Sequence, residues 1–155
     1  MIGVIGVAEA NEQEQQMAFE VGKLIGAMGL SLVCGGLGGV MAEASRGCHQ
    51  AGGTVIGLLP GGQKEDANKF VTYAIPTNLG HSRNMLIAHS ADLLIAIGTG
   101  YGTLSEVAIA LKLGKTVLSY RSWDVQGVTP CQSLTEIQEL LGNLYGVHAT
   151  TSLLT

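Results

Sequence analysis

Short runs that are apolar on both alternations trade places along this chain with longer runs whose apolar residues recur every three or four positions. Ile2-Gly3-Val4-Ile5-Gly6-Val7-Ala8 has no polar side chain, which predicts a strand covered on both faces, as in the middle of a parallel sheet. From Asn11 the period lengthens, and Met17, Val21, Leu24, Ile25 and Met28 share one helical face. Asn11 with Glu14 has the form of a capping box, and Gly29 stands where a glycine ends a helix. The same pattern then repeats. It predicts strands over 30–34, 54–59, 93–97 and 116–120, and a shorter one over 70–75 that Pro76 places at an edge. Helices are predicted from Val40 to near Gly52, from Gly80 to Ala91, from near Thr103 to Gly114, and after a Ser133-to-Glu136 capping box with Ile137, Leu140 and Leu141 inward. Residues 63–69 are polar and aperiodic, hence a surface loop, and the tail from Asn143 has no period that assigns it a conformation. Strands alternating with helices predict an α/β fold: one single-domain, doubly wound, mostly parallel sheet over residues 1–155 with right-handed crossovers.

Two of the predicted strand-to-helix turns are built of glycine. Gly35, Gly36, Gly38 and Gly39 follow one strand, and Gly98, Thr99, Gly100, Tyr101, Gly102 and Thr103 follow another. A glycine turn lets the backbone approach an anion, while the unpaired N–H groups and positive dipole end of the next helix face the same point. One such turn often means only tight packing. Two in one small α/β chain point to a phosphate-bearing ligand at the carboxyl ends of the strands. Gly38 and Gly100 are expected where a side chain would fill the ligand's space or require positive φ. The first turn, Glu9-Ala10-Asn11, lacks the G-x-G-x-x-G of a dinucleotide site, which weighs against an NAD or FAD dehydrogenase.

Arg83 falls in the first turn of its predicted helix, where the dipole disfavours a cation. Either it is solvated there, or it is placed to meet an anion. Thr103-Leu104-Ser105-Glu106 reads as a capping box, so Glu106 has a capping role and a ligand-facing role open to it. Tyr101 either stacks on a ligand or covers the loop, and covering is the simpler role. His81 and His89, eight apart on one predicted helix, read as surface and packing groups.

Composition narrows the field. With 46% hydrophobic and only 13% charged residues in 155, much of the chain is committed to a core, and some apolar surface is expected to be covered by self-association into a homodimer or homotetramer. A net charge of −4 argues against binding nucleic acid or an anionic membrane. Cys34, Cys48 and Cys131 form no C-x-x-C and, with the four histidines, no zinc-like spacing, so the thiols are read as reduced, in a cytoplasmic protein with no metal held directly by side chains. The apolar start is too short for a signal peptide or a membrane span.

The glycine turns resemble the signatures of the LOG-like, or "lysine decarboxylase-like", Rossmannoid family, which includes cytokinin-activating phosphoribohydrolases and molybdenum cofactor carrier proteins. Its PGGxGTxxE is similar to Gly98-Thr99-Gly100-Tyr101-Gly102-Thr103-Leu104-Ser105-Glu106, and its GGGxxGLMG to Cys34-Gly35-Gly36-Leu37-Gly38-Gly39-Val40-Met41-Ala42, with motif order kept over about residues 2–120. The resemblance implies a Rossmann-like fold. In the hydrolase branch a glutamate and an arginine matching Glu106 and Arg83 would be catalytic, acting on the N-glycosidic bond of a nucleoside 5′-monophosphate. Departures at Gly98, Thr99, Asn84 and Cys34 bear on that chemistry more than on the pocket. The compact segment 79–84, followed by 106–112, looks closer to the short carrier branch, whose members bind the molybdenum cofactor. Two readings follow: a carrier that holds a pterin phosphate or molybdate-type anion on the two loops, and a phosphoribohydrolase that releases a purine or cytokinin base.

Overall fold

The computed structural model describes residues 1–146. In chain order it contains β1 (Ile2–Gly6), α1 (Glu12–Ala27), β2 (Leu32–Cys34), α2 (Val40–Gln50), β3 (Val55–Leu59), β4 (Tyr73–Pro76), α3 (Arg83–Ser90), β5 (Leu93–Ile97), α4 (Tyr101–Lys112), β6 (Thr116–Tyr120), β7 (Thr129–Pro130) and α5 (Leu134–Tyr145). The strands form one sheet in the order β4-β3-β2-β1-β5-β6-β7, and every neighbouring pair is parallel. This is the Rossmann-like doubly wound sheet.

Strand alternation divides the core in two. Ile2 and Val4 of β1 and Leu93, Ile95 and Ile97 of β5 join residues of α1, α2 and α5 on one face, while Ile5, Leu94 and Ala96 join α3 and α4 on the other. Hence the central strands are apolar on both alternations. The helices α1 and α2 touch backbone to backbone. A Cβ at Gly22 would strike the Ala44 carbonyl, and one at Gly47 the Phe19 carbonyl, so these two glycines set the close crossing.

The predicted ends hold where a side chain makes them. Asn11 Oδ1 accepts from the Glu14 N–H and Glu14 Oε2 from the Asn11 N–H, each at 2.9 Å, a complete reciprocal cap on α1. Ser133 caps α5 by accepting from the Glu136 N–H at 3.2 Å. At the far end of α3, Lys115 Nζ donates to the carbonyls of Ala88, His89 and Ala91 at 2.6–2.7 Å, a cation on the negative dipole end.

Two local expectations are corrected, and two stretches with no predicted element are assigned. The helix after the second glycine turn starts at Tyr101 with Gly100 as its N-cap, earlier than Thr103, because Gly100 is extended and its carbonyl already accepts from Leu104 N–H at 2.9 Å. The segment from Gly80 is two pieces: a single 3₁₀ turn at Gly80–Ser82, then α3, so His81 and His89 do not share one helix. β7, two residues including Pro130, adds a seventh strand that no alternation announced, and α5 runs past Asn143 to Tyr145. The rest of the tail, 147–155, lies outside the described residues. Both sheet edges carry a proline, Pro76 in β4 and Pro130 in β7, which cannot donate to a further strand.

Candidate functional site

Strand order reverses at β1. The chain winds outward from it through β2, β3 and β4, then returns to β5 on its other side, and such a switch point leaves a crevice above the strand ends. The crevice here is a cleft of about 260 Å³. Its floor is the end of β1 and the turn after it, Val4 to Ala8, and its walls are Gly35, Leu37 and Met41 on one side and Gly100, Gly102, Thr103 and Glu106 on the other. Arg83 and Asn84 close it from α3, with His81 exposed at the mouth.

The two glycine turns do different work. In the first, Gly39 has φ +63°, and a Cβ there would strike the carbonyls of Val7 and Ala8. That contact lets Val40, the first residue of α2, donate its N–H to the Val7 carbonyl at 3.0 Å, so the first amide of α2 is used within the fold. Gly35 is similarly committed. A Cβ on it would lie 2.6 Å from Arg83 Nη1 and 2.6 Å from Met41 Sδ, so the glycine makes room for a guanidinium. The second turn leaves its helix end open: no side chain caps α4, its first turn holds no acidic residue, and Gly102 and Thr103 line the cleft. α2 has no side-chain cap either, but its first amide is taken by Val7 and its first turn carries Glu43, so α4 is the less encumbered of the two helix starts for an anion.

Because α4 starts at Tyr101, Thr103 is its third residue and Glu106 its sixth, and the capping role open to Glu106 is excluded. The residue is 5% exposed and its side chain is turned toward Arg83. Arg83 is itself only 7% exposed, so the solvated reading fails as well. Its Nη1 donates to Asn84 Oδ1 at 2.8 Å and its Nη2 reaches the Gly35 carbonyl at 3.4 Å, while Nε is buried with no hydrogen-bond partner among the described residues. Such an orphaned donor costs free energy unless a ligand meets it. Asn84 is held in turn by its Nδ2, which donates to Ser105 Oγ at 3.2 Å.

Arg83 Nη1 and Glu106 Oε1 stand 3.8 Å apart, too far for a hydrogen bond. Burial therefore governs Glu106: it pushes the carboxyl up to about 8, and the nearby guanidinium offsets only part of that. Burial also lowers Arg83, though from a value so high that it stays charged. At neutral pH the cleft thus holds a cation beside a largely neutral carboxyl. The site is electropositive.

Of the residues singled out in the sequence, Gly35, Arg83, Gly100, Gly102, Thr103 and Glu106 line the cleft. Gly36, Gly38, Gly39, Gly98, Thr99 and Tyr101 do not. Gly36 (φ +76°) packs over Leu59, Gly98 (φ +79°) fits against Val7 and Glu14, and Tyr101 is 83% exposed with its ring beside Trp123 at 5.6 Å. Gly38 and Gly100 lack the positive φ expected of them: Gly100 has φ −99° and Gly38 is not among the positive-φ glycines. The sequence missed the β1 turn, Leu37, Met41 and His81. The first three contribute backbone and apolar surface, which no residue type marks, and His81 could have been found only from its position two before Arg83. Among the described residues no group of three or more His, Cys, Asp or Glu side chains is placed to hold a metal ion, and no helix is long and apolar enough to cross a membrane.

Comparison with known proteins places this geometry. The chain is similar to an uncharacterized protein of Archaeoglobus fulgidus, 48% identical over 120 residues that span 77% of this chain and 79% of that one. A probable cytokinin riboside 5′-monophosphate phosphoribohydrolase of Oryza sativa is 33% identical over 96 residues, covering 60% of this chain but only 39% of the rice protein. Among solved structures, the molybdenum cofactor binding protein of Rippkaea orientalis superposes with a TM-score of 0.88 at 36% identity, covering 93% of this chain and 96% of that one. The molybdenum cofactor carrier protein of Chlamydomonas reinhardtii gives 0.86 at 34%, covering 94% and 98%. The SLOG cluster4 family matches residues 1–145. With one family spanning nearly the whole chain, and the fold and glycine turns in agreement, the chain belongs to the SLOG cluster4 family.

Proposed function

We propose that the cleft binds a phosphate-bearing cofactor of the molybdenum cofactor type and that the protein carries it without breaking a bond. The observation that carries the reading is Arg83, a buried cation with an unpartnered Nε, set across from the uncapped start of α4. A phosphate or molybdate-type oxyanion would satisfy both groups at once. A volume of about 260 Å³ falls just below the range of roughly 300–1,000 Å³ usual for sites that enclose a whole small ligand, so the cleft takes the anionic end and the remainder lies across the mouth by His81. The similar proteins of Rippkaea and Chlamydomonas, which bind or carry that cofactor, support the ligand class.

Titration with sulfate, a tetrahedral dianion whose own charge does not change near neutral pH, as a function of pH tests this directly. Glu106 keeps its proton until about 8, and an anion binds the protonated site better than the ionised one. Affinity should therefore stay flat below pH 8 and fall by up to about tenfold per unit above it. In the Glu106→Gln variant the fall above pH 8 should disappear. A wild-type profile flat through pH 9 would separate Glu106 from the anion.

One observation favours the enzyme reading. A carboxyl with its pKa near 8 beside a guanidinium is matched to proton transfer near neutral pH, as the departure of a base from a nucleoside monophosphate would need. In that reading Glu106 protonates or assists the leaving base and Arg83 meets the developing charge.

Self-association belongs to the same proposal. Of the exposed large apolar side chains, Tyr73 and Ile75 lie on the edge strand β4, Leu144 on α5 and none on α2, while Leu79, Met85, Leu86, Tyr101 and Leu113 lie on α3, its approach and the ends of α4. A symmetric homodimer or homotetramer built on that side is expected. A monomer by sedimentation at micromolar concentration would rule it out.

A further inference from the structure

Within the cleft, Arg83 faces two oxygen acceptors and is bonded to only one. Its Nη1 donates to Asn84 Oδ1 at 2.8 Å, while Glu106 Oε1 stands 3.8 Å from the same nitrogen. All three residues line the cleft and all are buried. Nη1 has a second hydrogen to give, so distance rather than donor count separates it from Glu106, and a shift of about 1 Å would bring the two into hydrogen-bond range. Asn84 resists that shift because it is anchored from the neighbouring helix. Its Nδ2 donates to Ser105 Oγ at 3.2 Å, and Ser105 Oγ donates to the Gly102 carbonyl at 2.6 Å. Each donor hands on toward the first turn of α4, which leaves Oδ1 as the end that Asn84 turns to the guanidinium. The Gly35 carbonyl, 3.4 Å from Nη2, is the second anchor of the planar fork.

A closed pair of Arg83 and Glu106 would undo the site. The carboxylate would take up the guanidinium that an anion needs and would add a negative charge of its own. Arg83 is the charge that acts on Glu106: the Cys34 thiol beside them is kept uncharged by burial, His81 is exposed at the mouth, and the other lining residues among those described, the β1 turn and the first glycine turn included, are uncharged. We propose that Asn84 is a positioning residue of the anion site, an uncharged spacer that holds the Arg83 guanidinium off Glu106 so that the cation is left for the ligand. This rests on the anion-binding reading of the cleft given above.

The test reads two quantities in the wild type, Asn84→Leu and Asn84→Asp. One is the titration of the Glu106 carboxyl carbon by carbon-13 NMR with no anion added, its signal identified by its loss in Glu106→Gln; the other is sulfate affinity by calorimetry as a function of pH. Asn84→Leu keeps the size of the side chain and removes its acceptor, which frees the guanidinium to close on Glu106. The carboxyl, at about 8 with Asn84 in place, should then titrate roughly one to three pH units lower. Sulfate should bind roughly ten- to a hundredfold more weakly at neutral pH, with the loss recovered on acidification as Glu106 takes up its proton. Asn84→Asp keeps the acceptor and adds a charge, so sulfate should again weaken while Glu106 titrates no lower than in the wild type. A merely structural asparagine would cost stability in both variants without setting their Glu106 titrations apart. Ser105→Ala removes the far anchor from an exposed position, and should move Glu106 as Asn84→Leu does but by less, which gives the reading if the leucine variant does not fold. Should Glu106 titrate in these variants as it does in the wild type, the spacer role is lost and the anion site stands. Should the wild type bind no sulfate, the anion reading of the cleft falls and this proposal falls with it.

Discussion

Replacing Arg83 by methionine is expected to weaken phosphate binding at pH 7 by about two orders of magnitude or more, with the fold intact. A charge-assisted hydrogen bond is worth roughly 1.5–3 kcal/mol, and a bound anion would take at least one from Arg83 besides the Coulomb attraction of a buried cation. The same change should leave stability within about 1 kcal/mol of the wild type, or raise it. Folding buries the guanidinium with an orphaned Nε, and Glu106 below pH 8 is neutral, so removing the cation strands no charge. Arg83→Lys should recover part of the affinity, since a lysine keeps the charge but not the fork that reaches Asn84 and Gly35 together. Calorimetry with inorganic phosphate and a thermal melt on each variant separate the two quantities. A binding loss that tracks a stability loss would make Arg83 a structural residue.

The second large effect is expected at Gly39. A valine there must adopt φ near +63° and push its Cβ into the carbonyls of Val7 and Ala8. Left-handed backbone costs roughly 1–2 kcal/mol and forced overpacking another 1–3, so a loss of about 3 kcal/mol or more follows. It would also break the Val40-to-Val7 hydrogen bond that joins α2 to the cleft floor, and binding should go with it. Gly52→Ala is the control: its φ is +76°, but nothing lies within 4 Å of the added Cβ, so only the backbone cost of about 1 kcal/mol remains. Gly38→Ala, with open space and no positive φ, should leave stability almost unchanged. Urea denaturation of the three variants orders these costs. Equal losses at Gly39 and Gly52 would show that the Val7 and Ala8 contact is soft.

The fold was legible because its signals are local. Apolar strands such as 2–6 and 93–97 declare themselves by composition, and Asn11 and Ser133 by their capping side chains. The start of α4 was read late because a glycine N-cap carries no side-chain signal, and the cap predicted at Thr103 was an accident of spacing. For the site, residue type revealed the two glycine turns, Arg83 and Glu106. It could not reveal that the first amide of α2 is taken up within the fold, since that depends on Gly39 meeting a turn more than thirty residues earlier. Nor could it give the pKa of Glu106, which is a property of burial, or the hold of Ser105 on Asn84 from another helix. Short-range pattern located the turns that border the cleft, and long-range packing decided the charge of the cleft.

Carrier and hydrolase differ in whether a bond is broken, so the most direct measurement is chromatography of ligands after incubation with the purified protein. AMP, an isopentenyladenine ribotide and molybdenum cofactor are each equilibrated with the wild type and with Glu106→Gln. In the carrier reading the cofactor stays with the protein through gel filtration in stoichiometric amount and both ribotides are recovered whole. Catalytic release of free base by the wild type, with a loss of roughly two or more orders of magnitude in Glu106→Gln, would contradict it and make Glu106 the acid of a phosphoribohydrolase.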